Sequence, residues 1–197
     1  IEVSADQREA WRSELPELPS AKRHRYADAL GLSQYDARVL TDERSMAQYF
    51  ETVVAGGADP KLSANWITGD IAAYVNSNRL NFVELAFRPE QLAEMIKMID
   101  GGKISGKIAK EILPELLEKG GSPKAIVEER GLGMISDPAA ITAIVEELLA
   151  AHPDEVEAFR GGKNKLQGFF VGQLMKKTGG KADPKLANQI LSQKLKG

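Results

Sequence analysis

A chain of 197 residues, 43% hydrophobic and 27% charged, can bury a real core in one large or two small domains, which excludes a disordered chain. It has no cysteine, which excludes disulfides, thiolate metal sites and thiol nucleophiles, and its two histidines, His24 and His152, sit in no metal-ligating or triad-like pattern. The net charge is −2, but residues 161–197 hold eight lysines against the single acid Asp183, so this tail carries +7 and residues 1–160 carry −9.

The chain opens on Ile1-Glu2-Val3-Ser4, without a methionine, and runs into Glu14-Leu15-Pro16-Glu17-Leu18-Pro19. Each proline fixes φ and pushes its predecessor to extended backbone, so residues 1–19 read as a linker from an absent amino-terminal domain. From Ser20 onward the pattern is one helix after another. Asp59-Pro60 is an N-cap and first-turn pair before Leu62, Trp66, Ile67, Ile71, Tyr74 and Val75, whose three- and four-residue spacing makes one apolar stripe. Pro89 opens a helix with Leu92, Met95, Ile96 and Ile99 inward, and Gly101-Gly102 ends it as a left-handed cap. Ile108, Ile112, Leu113, Leu116 and Leu117 mark the next, up to Gly120-Gly121. Pro114 inside it removes a hydrogen bond and costs about 3 kcal/mol in a helix interior, so a kink or break is expected near 110–114.

Ser122-Pro123 starts a short helix to Glu129. The glycine-bearing connector from Gly131 to Ser136 is taken as the boundary between a helical domain, 20–131, and a tail domain, 132–197. In the tail, Asp137-Pro138 caps a helix with Ile141, Ile144, Val145, Leu148 and Leu149 inward. Pro153 opens a short acidic helix ending at Gly161-Gly162, Leu166 to Met175 lie on a third, and Asp183-Pro184 caps the last. Period-two runs of β-branched residues are missing, so the fold class is all-α, with a helical domain followed by a small helical bundle. Asp59-Pro60-Lys61-Leu62 recurs as Asp183-Pro184-Lys185-Leu186, which reads as reuse of a good helix start. No apolar run approaches the roughly 18 residues of a membrane span and no signal peptide opens the chain, which points to a cytoplasmic protein.

A basic tail on an acidic body is an electrostatic footprint for a polyanion, because clustered ammonium groups gain affinity by releasing phosphate counterions. The alternative is that these lysines are an ordinary solvated helix surface. Around Gly179-Gly180, Lys176, Lys177 and Lys181 crowd a flexible turn before a helix N-terminus, where backbone N–H groups suit a phosphate. Gly168 and Gly172, one turn apart, are expected to let a neighbouring helix approach closely. Gly101 and Gly106-Lys107 match the spacing of a phosphate-cradling loop, but Ile108 stands where Ser or Thr would hold magnesium and no strand precedes. Two readings remain: Ser105 is an N-cap behind a glycine stop, or Lys103, Lys107 and Lys110 form a second phosphate-facing patch.

Several blocks in this order and spacing resemble the carboxy-terminal half of the B subunits of aspartyl/glutamyl-tRNA amidotransferases. They are Leu15-Pro16-Glu17-Leu18-Pro19 with Arg23 and Tyr26, then Ala64-Asn65-Trp66, then Ile104 through Glu111, then Gly172 through Lys176 with Gly180-Lys181-Ala182-Asp183-Pro184. The last sixty or so residues are also similar to the small YqeY proteins, and Pro114 departs from the family's ordinary helix former. The resemblance implies a heterotrimeric, glutamine-dependent ligase that uses ATP and magnesium to amidate Glu-tRNA(Gln) or Asp-tRNA(Asn), with those cofactors held in a catalytic domain absent here. It implies for this chain no catalytic residue, no metal and no cofactor. The expected partners are tRNA and the A and C subunits of the amidotransferase, with no membrane. The expected role is to bind and position tRNA through Lys163, Lys165, Lys176, Lys177, Lys181 and Lys185, and the alternative is a helical module that docks on the other subunits without direct tRNA contact.

Overall fold

The computed structural model describes residues 17–196, so residues 1–16 of the expected linker lie outside it. The chain divides into two compact units, Ile1–Leu85 and Ala86–Gly197. The expected boundary at 131/132 falls inside the second. Among the described residues all regular structure is helical, apart from an isolated parallel bridge between Ile135 and Ala182.

The first unit contains α1 (Pro19–Asp28), α2 (Gln34–Asp42), α3 (Arg44–Ala55), α4 (Pro60–Trp66), a π-helical turn (Ile67–Ile71), α5 (Ala72–Asn78) and a 3-10 turn (Phe82–Glu84). Pro19 belongs to the first turn of α1, where its missing N–H costs nothing. Ser33 caps α2 by accepting from the Asp36 N–H at 3.0 Å. Asp59 caps α4 by accepting from the Leu62 N–H at 2.8 Å, as its Asp-Pro start implies. The stripe expected from Leu62 to Val75 is interrupted by the π turn, in which the Ala72 N–H reaches the carbonyl of Ile67, five residues back. One extra residue in that turn keeps Ile67, Ile71, Ala72 and Val75 all buried. Tyr26 tilts against Phe50 with ring centroids 4.9 Å apart, and Tyr49 meets Phe82 edge-on at 5.5 Å, so aromatic pairs bind α1, α3 and the 3-10 turn into one core.

Over that core sits a charge cluster. Arg25 bridges Glu17 and Glu51, each at 2.5 Å, and Lys22 meets Glu51 at 3.0 Å. The Arg25 hydrogen bond holds Glu17 below the ordinary glutamate range. Burial by itself would raise Glu51, but hydrogen bonds from Arg25 and Lys22 outweigh it and the net shift is downward. Both carboxyls therefore bind protons more weakly folded than unfolded. Their contribution is present above the unfolded value of about 4.3 and is lost as pH falls through the lowered folded values. Thermal unfolding followed between pH 7 and pH 3 should show a shallower acid loss of Tm for Glu51→Gln than for the parent. Identical acid limbs would mean the cluster is not linked to folding.

The second unit contains α6 (Pro89–Asp100), α7 (Gly106–Lys119), α8 (Pro123–Glu129), α9 (Pro138–Ala151), α10 (Pro153–Arg160), α11 (Leu166–Lys177) and α12 (Pro184–Lys196). As expected, α6 ends on a glycine pair: Gly102 takes φ +65° and the Lys103 N–H closes on the Met98 carbonyl at 2.8 Å. The break expected at Pro114 does not occur, and α7 runs unbroken through it. Pro114 lies on the exposed face, where water can serve the carbonyl that its missing N–H would have bonded. Ile108, Ile112, Leu113, Leu116 and Leu117 on the other side are buried and hold the helix down.

Gly120 ends α7 at φ +70°, ψ −159°, a region essentially confined to glycine. A Cβ there would also sit 2.6 Å from the Ala86 carbonyl oxygen. Gly120→Ala should destabilise by roughly 1–3 kcal/mol from the dihedrals, with the backbone collision on top. Chemical denaturation checks this, and a change under about 0.5 kcal/mol, the usual range of a neutral surface substitution, would show that the turn can relax.

Helices α9 to α12 form a four-helix tail. Ile141 and Val145 of α9, Phe159 of α10, Phe170 and Leu174 of α11, and Ala187, Leu191 and Leu195 of α12 make one hydrophobic cluster. His152 closes its edge, packed edge-on against Phe169 at 5.4 Å, which gives this histidine a structural role. The Arg160 guanidinium donates to the Leu195 carbonyl at 3.2 Å and pins the end of α12. The Gly131–Ser136 connector is not a loose link. The Met134 N–H donates to the Lys103 carbonyl at 2.8 Å, the Ile135 N–H to that of Lys181 at 2.7 Å, and the Asp183 N–H to that of Ile135 at 3.0 Å.

Candidate nucleic-acid interface

The tail lysines differ in what they face. Lys177 pairs with Glu147 and Lys194 with Glu146, both at 2.5 Å, so these two charges are locally compensated. Lys163, Lys165, Lys176 and Lys185 are exposed, and among the described residues none has a carboxylate partner. Lys163 and Lys165 sit in the tight turn that leads into α11, and Lys176 lies in its last turn. Lys185 is in the first turn of α12. Lys181 is half-buried, and its ammonium donates to the Gly131 carbonyl at 2.8 Å.

The backbone N–H groups expected to greet a phosphate before α12 are already used. The Lys185 and Leu186 N–H groups donate to the Asp183 carboxylate at 2.8 and 2.9 Å, and the Ala182 N–H reaches the Thr178 hydroxyl at 3.4 Å. The carboxylate that caps the helix also repels an anion there. Any phosphate contact therefore falls to the side chains.

A second expectation is also corrected. Gly168 and Gly172 are exposed, and a Cβ on either would meet nothing within 4 Å, so among the described residues they seat no neighbouring helix. With Phe170 and Leu174 buried, the opposite face of α11 carries Gly168, Gly172 and Lys176 in a row, continued by the N-cap residue Lys165. This stripe is readable from 100° steps around the helix once the buried face is known. The glycine spacing alone does not reveal it.

At the phosphate-loop look-alike, Ser105 caps α7 by accepting from the Ile108 N–H at 3.3 Å. The Gly101, Gly102, Lys103 and Ile104 N–H groups all bond back to carbonyls of α6. Those four N–H groups are therefore not available to cradle phosphates, and with no strand before the segment among the described residues it does not form a phosphate loop. Lys103, Lys107 and Lys110 are all exposed on this segment. Among the described residues, no group of three His, Cys, Asp or Glu converges as a metal site, and no helix is long and apolar enough to cross a membrane.

A family model, the GatB domain of the GatB_Yqey family, matches residues 48–195, three quarters of the chain and every candidate lysine. The chain belongs to the GatB domain family. Over all 197 residues it is 88% identical to the B subunit of the aspartyl/glutamyl-tRNA(Asn/Gln) amidotransferase of Parasynechococcus marenigrum. The same region is 86% identical to the corresponding B subunit of Synechococcus sp. strain WH7803 and 72% identical to that of Synechococcus elongatus. The chain spans 40% of the length of each of these relatives. Within this GatB domain the matched region takes in α4 to α11 completely, so the exposed lysine rows of α11 and the α6–α7 segment belong to it.

Proposed function

We propose that this chain binds and positions tRNA for an aspartyl/glutamyl-tRNA amidotransferase, holding the body of the nucleic acid while its acceptor end is amidated elsewhere in the enzyme. The observation that carries this reading is the set of exposed tail lysines without carboxylate partners among the described residues, Lys163, Lys165, Lys176 and Lys185, on a tail of net charge +7. Uncompensated ammonium groups on a rigid bundle release phosphate counterions without first breaking an ion pair. The bare glycines of α11 support it, since they leave room for a backbone to approach between Lys165 and Lys176.

In this reading the chain is no enzyme by itself. ATP, magnesium and the amidation chemistry belong to the remainder of the longer polypeptide, glutamine is the amide donor, and the A and C subunits are the protein partners. Positioning still bears on rate, because misplacing the reacting end by about 1 Å can cost on the order of 100-fold. The test is anisotropy titration of labelled unfractionated tRNA with the full 197-residue chain and with the same chain carrying Lys163→Gln, Lys165→Gln, Lys176→Gln and Lys185→Gln together. The variant should lose most of the salt dependence of binding. Equal binding by both would leave the docking-module reading in place.

A further inference from the structure

The two lysine groups that are remote in sequence meet in the fold. Lys107 of α7 lies over Gly180: a Cβ on that glycine would stand 3.1 Å from Lys107 Cδ and 3.3 Å from its Nζ. Gly180 has φ +83°, a left-handed conformation that favours glycine, and the Lys107 side chain packs directly on it. The Ser105 hydroxyl donates to the Gly180 carbonyl at 3.3 Å. The neighbouring Lys181 reaches back to the Gly131 carbonyl at 2.8 Å, and the Lys103 carbonyl holds the Met134 N–H at 2.8 Å. The turn after α11 is thus pinned to the start of α7 and to the connector, and Lys103, Lys107 and Lys181 are carried by one seam.

Neither Lys107 nor Lys181 is matched to a carboxylate among the described residues. The Lys181 ammonium is oriented by a carbonyl, not a carboxylate, and Lys107 forms no ion pair among the described residues, even with Glu111 one turn along α7. Lys177 and Lys194, by contrast, are each matched to a glutamate. A cation held by a carbonyl keeps its full charge and has already lost much of its rotamer freedom, which suits capture of an anion.

We propose that this seam is a single composite site for the phosphates of a polynucleotide backbone, in which Lys107 and Lys181 act together and the tail lysines extend the track. The proposal rests on the tRNA-binding reading above and adds a contact from outside the tail bundle. It makes the 101–110 segment part of the same surface, not a separate patch.

The test uses the full chain and fluorescently labelled unfractionated tRNA, titrated between about 50 and 200 mM KCl, with the variants Lys107→Gln, Lys181→Gln, their double, and Lys194→Gln as control. Each lost phosphate contact makes the log–log salt slope shallower by about 0.7–0.9, so the affinity gap between parent and single variant should shrink about threefold over that range. The double variant should lose less than the product of the two single losses, because the groups share one phosphate track. Lys194→Gln should change neither slope nor affinity. Lys107→Gln decides the matter, since that exposed side chain makes no hydrogen bond or ion pair among the described residues, and its loss should leave the helices intact by circular dichroism. A parent that binds with a steep salt slope, unaltered in Lys107→Gln, would overturn the composite site and leave tRNA binding by the tail standing. A parent without salt-dependent binding would overturn both.

Discussion

Truncating Phe170 to alanine should unfold the tail while the first unit survives. Phe170 is fully buried and meets Phe169 at 5.4 Å and His152 at 6.3 Å, at the centre of the cluster shared by α9, α11 and α12. Phe→Ala in a core costs about 3–5 kcal/mol from lost transfer energy and the cavity left behind. A bundle of some sixty residues holds only about 3–9 kcal/mol in total at the usual stability per residue. The loss is therefore of the same size as the whole. No tryptophan follows Trp66 in the chain, so tryptophan fluorescence would not report the change. Hydrogen exchange would: protection should collapse across α9 to α12 and persist in α1 to α5. Retained protection in α9 to α12 would show that the cluster repacks around the cavity.

The second large effect concerns affinity. Changing Lys163, Lys165, Lys176 and Lys185 together to glutamine should make the salt slope of tRNA binding shallower by about three, since each neutralised phosphate contributes roughly 0.7–0.9. Binding should weaken across tRNA species alike, because phosphate contacts position the nucleic acid without reading bases. The fold should be kept, as exposed substitutions away from special features usually stay within about 0.5 kcal/mol. Charge counting in the sequence would place Lys177 in this set. Its ion pair with Glu147 removes it, because a phosphate must first displace a carboxylate 2.5 Å away. Native circular dichroism with unchanged slope and affinity would make the basic tail a solvated surface.

The helix starts were legible because their causes are local. Asp59-Pro60, Ser122-Pro123, Asp137-Pro138 and Asp183-Pro184 each combine a capping oxygen with a proline that needs no N–H, and each opens a helix at that proline. Local reasoning fails where a neighbour carries the energy. Pro114 by itself should break α7, but six buried side chains of that helix outweigh one missing hydrogen bond. The π turn at Ile67–Ile71 is invisible in the sequence for the same reason, since it exists to keep four apolar residues on the core side at once.

The candidate interface divides along the same line. Sequence alone determined that the chain is all-helical, where most helices begin and end, and that its positive charge gathers in the last 37 residues, because propensity, capping and net charge are properties of residues and their near neighbours. Only the tertiary structure decided which charges remain available. It paired Lys177 and Lys194 with glutamates of α9, engaged the N–H groups before α12 with Asp183, exposed Gly168 and Gly172, and laid Lys107 over Gly180 across 73 residues of chain. Contacts between residues far apart in sequence depend on how the helices pack, and helix packing is set by the summed burial of many side chains, which leaves no signature at any single position.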